Sequence, residues 1–332
     1  MIRKVFVSLI CFISIISITA CSFQPNNGDT IRLAEVTRSI FYAPLYVAIE
    51  KGFFEEEDLH IELTTTWGGD KTMTSLLSGG SDIALVGAET SIYVNAQEPA
   101  EPIINFAMLT QSDGTFLMAR NNTADEFAWE DLKGSTFLGQ RKGGMPQMTG
   151  EFVLKQNHID PHQDLTLIQN IDFANIANAY ASGTGEYVQL FEPQATMFEH
   201  QGLGSIVASF GEESGAVPYT VFMTKEGYME ENEDHIERFT RAIYKAQTWI
   251  YNASAEEVAT AVAPYFDDTS TDIIADSFVR YRNQQSYAQT PVLTEEAWNN
   301  LQDIMDEAGE LPERSDYNTY VNNTWAEKVI NE

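Results

Sequence analysis

Apolar and polar positions alternate through Ile31-Arg32-Leu33-Ala34-Glu35-Val36, a period of two that predicts a strand. Ala43 to Lys51 is apolar at helical spacing and stops at Gly52, a residue suited to a left-handed helix cap. His60-Ile61-Glu62-Leu63 alternates again, and Lys71 to Ser78 predicts a short helix closed by Gly79-Gly80. Ile83 to Val86 is a continuous apolar run, as in a buried parallel strand. A helix over Thr90 to Gln97 and a strand over Ile103 to Leu109 follow. Strands alternating with helices at this spacing predict an α/β sheet.

The pattern then restarts. Thr136 to Leu138, Leu165 to Ile168, Tyr187 to Leu190 and Ser205 to Phe210 read as strands. Between them, Pro146 to Asn157, Ala174 to Ala181 and Glu192 to His200 read as helices. Beyond Lys225 the chain reads as almost wholly helical, with Ile236, Phe239, Ile243, Ala246 and Ile250 on one face of a long helix. A faint echo links Ser78-Gly79-Gly80-Ser81-Asp82 before one strand to Ser182-Gly183-Thr184-Gly185-Glu186 before another. Two similarly wound α/β domains make a clamshell when the carboxyl ends of their strands face across a crevice, the geometry of a protein that closes on a ligand.

Such a clamshell crosses between its halves only a few times. Extended runs at Thr115-Phe116-Leu117-Met118 and Tyr219-Thr220-Val221-Phe222 each follow a Gly or Pro and mark the expected crossings. The expected domains are 30–115 with 222–332, discontinuous, and 116–221.

The N-terminus has a different logic. Arg3 and Lys4 precede an apolar run from Val5 to Ile18 that ends in Thr19-Ala20-Cys21. That run is shorter than the roughly 20 residues a membrane span needs, and it suits the core of a signal peptide. With its cysteine after small residues, the segment resembles a bacterial lipobox, which implies a signal peptide over 1–20 and lipidation of Cys21. Residues 21–29, polar with Pro25 and Gly28, read as a lipidated tether. The expected location is the cell membrane, on its extracytoplasmic face.

Across 332 residues, 19 Lys and Arg stand against 49 Asp and Glu, a formal charge of −30. That balance excludes nucleic-acid binding through a basic footprint. Two cysteines exclude a disulfide scaffold. There is no Gly-Lys pair of a phosphate loop, no Gly-x-Ser-x-Gly elbow and no His-Glu-x-x-His motif. His158 and His162 flank Asp160 and Pro161, which puts them in a loop, so no metal site is expected. Glu55-Glu56-Glu57-Asp58 reads as a solvated turn. No cofactor and no catalytic residue is expected.

Two segments, Tyr46 to Leu63 and Ser78 to Ala84, with Asp131-Leu132-Lys133-Gly134 in support, carry a family likeness. They resemble the solute-binding proteins of ABC importers in the branch that takes up sulfonates, taurine, nitrate and thiamine-pyrimidine precursors. The likeness implies a two-domain clamshell of the periplasmic-binding-protein-like type II fold, each domain an open mixed sheet flanked by helices. It implies a monomer that hands a small solute to a membrane permease and its ATPase. Pyrimidine-precursor binders carry Asp-Trp-x-Pro-Asn after the first strand, where this chain has Glu35-Val36-Thr37-Arg38-Ser39. A pyrimidine-forming enzyme on the same fold, another surface enzyme and a sensor-coupled binder are the alternatives.

Strand ends and helix starts place the site on a few loops. Ser39 and Tyr42 lie on the first, Trp67 and Gly69 on the second, Glu89 and Thr90 on the third, and Arg141, Lys142 and Gly143 on the fourth. Asp172, Glu192 and Tyr219 complete the expected set, and Asp70 reads as a helix N-cap. Helix starts and the two cations suit an anion such as a sulfonate. The acids suit an amine or ring N–H, with Trp67 and Tyr42 offering faces for stacking.

Overall fold

In the computed structural model of the protein, residues 29–332 are described; the expected signal segment, Cys21 and the tether to Gly28 lie outside the described residues. The described residues hold strands β1 (Asp29–Glu35), β2 (Leu59–Thr65), β3 (Ile83–Gly87), β4 (Ile103–Thr110), β5 (Thr115–Ala119), β6 (Thr136–Leu138), β7 (Thr166–Ile168), β8 (Tyr187–Phe191), β9 (Ser205–Ser209) and β10 (Thr220–Lys225). They form two five-stranded sheets, ordered β2-β1-β3-β10-β4 and β7-β6-β8-β5-β9.

The two sheets share one plan. In each, four strands run in one direction and one runs against them: β10 between β3 and β4, β5 between β8 and β9. Those antiparallel strands are exchanged. β5 follows β4 but enters the second sheet, and β10 follows the second-sheet strands but enters the first. The echoing Gly-rich segments of the sequence lead into β3 and β8, the middle strands of the two sheets. The chain passes between the sheets through 111–114 and returns through 215–219.

Local chemistry explains the elements. The helix Ala43–Glu50 ends where Gly52 takes φ +74°, and the helix Gly69–Leu77 ends before Gly79 at φ +75°. That second helix starts at Gly69, so Asp70 sits inside its first turn and is not its N-cap; the side chain turns to Arg141 instead. The helix expected from Glu192 begins at Gln194. The long helix Glu233–Asn252 buries the expected stripe completely, and Phe239 meets Phe54, Phe106 and Phe222 at centroid distances of 5.1, 5.9 and 4.9 Å. The helices after Lys225 therefore complete the core over the first sheet. One of them, Thr271–Asn283, also reaches the second domain: Arg280 pairs with Glu199 and Glu192.

Candidate functional site

The carboxyl ends of β1 and β3 face those of β6 and β8 across a cavity of about 320 Å³. The first domain supplies Ser39, Tyr42, Gly69, Glu89 and Thr90, and the second supplies Arg141, Lys142 and Gly143. Tyr219, on the return crossing, closes one side. Nine of the twelve expected site residues thus line one space.

The remaining three lie elsewhere. Trp67 is 53% exposed and lines a neighbouring cavity of about 280 Å³, with Arg38, Ile176, Met197 and Phe266. Thr37, Gln140, Phe173 and Phe191 line both cavities and form the partition between them. Asp172 is exposed and outside both linings. Glu192 is buried beyond the cavity, where its carboxylate accepts bonds from the Thr196 N–H and hydroxyl, each at 2.8 Å, and meets Arg280 Nε at 3.3 Å. Burial raises its pKa, opposed by Arg280 and Thr196. It leaves the cleft because its carboxylate is captured by the Thr196 N–H, in the first turn of Gln194–His200, and by Arg280 and Ser277 of the helix Thr271–Asn283.

Phe41, Tyr93, Met73 and Met145 line the cavity without having been foreseen. Tyr93 was findable, because it lies four residues after Glu89 on the helix Glu89–Asn95 and so on the same face. Phe41 anchors the base of the cleft, with centroids 5.5 Å from Tyr219, 5.9 Å from Phe191 and 5.0 Å from Tyr281. Gly114 is required beside it, since a Cβ there would stand 2.7 Å from the Phe41 ring.

The electrostatics are uneven. At the mouth, Arg141 Nη2 lies 3.2 Å from Asp70 Oδ1, and both side chains are more than half exposed. Deeper in, Glu89 is 4% exposed and folds back on Gly87, where a Cβ would stand 2.1 Å from its Oε2. Burial pushes Glu89 up to about 7, with its own backbone N–H and that of Met145 partly offsetting this. Burial likewise raises the phenols of Tyr42, Tyr93 and Tyr219. On the far side of the base, Asp113 is pushed up to about 6 by burial, against the donors of Thr115.

Two α/β domains facing across such a cleft define a bilobal architecture. The family model described as NMT1/THI5 like matches residues 40–257, and the chain belongs to that family. It is 62% identical to "Putative binding protein YtlA" of Bacillus subtilis (strain 168), over 95% of this chain and 94% of the relative. In fold it is similar to the alkanesulfonate-binding protein SsuA from Xanthomonas axonopodis pv. citri bound to MOPS, with a TM-score of 0.73, 15% identity and coverage of 90% and 99%. It is also similar to the periplasmic nitrate-binding protein NrtA from Synechocystis PCC 6803, with a TM-score of 0.68, 18% identity and coverage of 92% and 89%. Family and fold together give the chain the two-domain α/β fold of periplasmic binding proteins. Among the described residues no helix is long and apolar enough to cross a membrane.

Proposed function

We propose that the protein is the lipid-anchored, extracytoplasmic solute receptor of an ABC importer, acting as a monomer. It binds one small organic solute, a sulfonate or taurine-like molecule or a nitrogen heterocycle such as a pyrimidine, and delivers it unchanged to a permease and its ATPase. The observation that carries this reading is the cavity of about 320 Å³ walled by both domains. A solute held there contacts both walls at once and favours closure by its differential affinity for the closed state. The lipobox resemblance at Cys21 supplies the anchor, and a diacylglyceryl group with two chains gives stable attachment.

In this reading the domains are 30–115 with 222–332 and 116–221, and they move about the two crossings. Ser39, Tyr42, Gly69, Glu89, Thr90, Arg141, Lys142, Gly143 and Tyr219 contact the solute. Trp67 covers the neighbouring compartment, and a longer solute displaces the Phe173 and Phe191 partition to reach it. Titration calorimetry with taurine, alkanesulfonates and aminopyrimidines tests the reading, together with small-angle scattering and chemical analysis of the recovered solute. One-to-one binding, a smaller radius on binding and unaltered solute are expected. Chemical conversion of a bound compound overturns the transport reading in favour of an enzyme.

A further inference from the structure

Glu89 occupies an unusual position for a carboxylate. It opens the helix Glu89–Asn95, lines the cavity and is almost wholly buried, yet its Oε2 has no hydrogen-bond partner. The protein donors acting on the group are backbone amides, its own and that of Met145 across the cleft. The titratable groups facing it are the phenols of Tyr42 from the turn Ile40–Tyr42, Tyr93 from its own helix and Tyr219 from the return crossing. None of the three is a cation. The cations of the lining, Arg141 and Lys142, are exposed at the mouth, and Arg141 is engaged by Asp70. A buried carboxylate oxygen left open to a cavity is costly unless a partner arrives to complete it.

The rest of the wall narrows what that partner is. Tyr42, Phe41, Met73, Tyr93 and Met145 surround the space with apolar and aromatic surface. An oxyanion placed beside Glu89 brings only acceptors to an acceptor. A nitrogen bearing hydrogen brings the missing donor, and a positively charged nitrogen also brings the missing counter-ion.

We infer that Glu89 selects the solute by accepting a hydrogen bond from an ammonium, an amidinium or an amino-substituted ring nitrogen, while the aromatic wall holds the body of the molecule. This deepens the solute-receptor reading of the same cavity and rests on it. A zwitterion fits in one orientation only, its nitrogen at Glu89 and its anion toward Lys142 at the mouth. Inorganic oxyanions and simple carboxylates are rejected. Because Glu89 is divided between its protonated and ionised forms near neutral pH, binding of a cation releases protons there and tightens from pH 6 to pH 8.

Matched probes test this: taurine with ethanesulfonate, benzamidine with methyl benzoate, and 4-aminopyrimidine with 4-methoxypyrimidine, titrated into the protein and its Glu89→Gln variant. Mass spectrometry identifies any solute carried through native purification. The expected result is at least tenfold tighter binding of the member of each pair that carries an N–H donor. That preference is lost in Glu89→Gln, while Glu89→Asp retains part of it. Equal binding within each pair, unchanged affinity in Glu89→Gln, or a co-purified solute without an N–H donor overturns the inference and leaves the receptor reading standing. A folded protein that binds no probe and carries no solute overturns both.

Discussion

Ser39 Oγ donates a hydrogen bond of 3.1 Å to the backbone carbonyl of Glu192, and this buried contact joins the first-domain loop to the end of β8 in the second domain. The same hydroxyl accepts from the Phe41 N–H and so starts the turn Ile40–Tyr42 at the cavity wall. A clamshell motion that separates the two loops breaks the contact. Ser39→Ala leaves the Glu192 carbonyl buried and unpaired, which costs about 1–3 kcal/mol. The expected outcome is a lower urea midpoint with a larger scattering radius in the solute-free protein. An unchanged radius would show that the bond does not restrain the domains.

Glu89 gives the protein a pH-dependent stability. Its folded pKa, about 7, stands above the ordinary glutamate value of 4.5. The favourable contribution is therefore complete below about pH 4.5 and is lost as pH rises through 7, amounting to about 3 kcal/mol. Asp113, raised from 3.8 to about 6, adds a loss of the same sign at lower pH. Glu89→Gln removes its own share, so the solute-free variant should resist urea better than the parent at pH 8 and about equally at pH 5. Identical pH slopes in the two proteins would refute the assignment.

Glu192 differs from Glu89 in having its partners within the protein. Its carboxylate is held by Thr196 and Arg280, and its N–H donates to Tyr281 Oη at 3.0 Å, so its neighbours are protein groups. Arg280→Ala strips the counter-ion from a fully buried charge, a loss of about 3–5 kcal/mol. Glu192→Gln should lower the melting temperature less and leave solute affinity within twofold. A tenfold loss of affinity in that variant, measured well below its melting transition, would return Glu192 to the binding site.

The contrast between these two acids shows what was legible in the sequence. Glu89 was findable because Ile83 to Val86 is an unbroken apolar run, and the residue just past such a strand, at a helix start, faces the crevice. Glu192 stands in the same kind of position after β8, but its fate depends on Arg280, Ser277 and Tyr281, which lie more than eighty positions away. No local period encodes that capture. Trp67 shows a similar limit: the loop was legible, but Phe173 and Phe191 divide the crevice and leave the indole in the second compartment. The alternation of strands and helices was local and therefore readable. The exchange of β5 and β10 was legible only as two short extended runs, since sheet partners are chosen by long-range packing.

Trp67 should report on the second compartment. It combines 53% exposure with a φ of +60°, a backbone conformation rare for a bulky side chain. A solute confined to the Glu89 cavity leaves its fluorescence unchanged, while one that passes the Phe173 and Phe191 partition shifts the emission to the blue. Subtracting the spectrum of Trp67→Phe isolates the signal from the other tryptophans. A blue shift with a solute too small to leave the first cavity would instead report domain closure over the indole.

The C-terminal helices test the discontinuous first domain. β10 lies between β3 and β4, so a fragment ending at Lys225 keeps every strand of the first sheet. It loses the helix Glu233–Asn252, whose Ile236, Phe239, Ile243 and Ile250 are fully buried. Losing the burial of those four side chains removes roughly 6–12 kcal/mol, comparable to the whole stability of an ordinary domain. It also uncovers Phe54, Phe106 and Phe222, which pack on Phe239. The fragment 29–225 should therefore lack a cooperative melting transition and bind no solute. If it melts cooperatively and binds with the affinity of the full chain, the helices form a domain of their own and do not complete the core of the first.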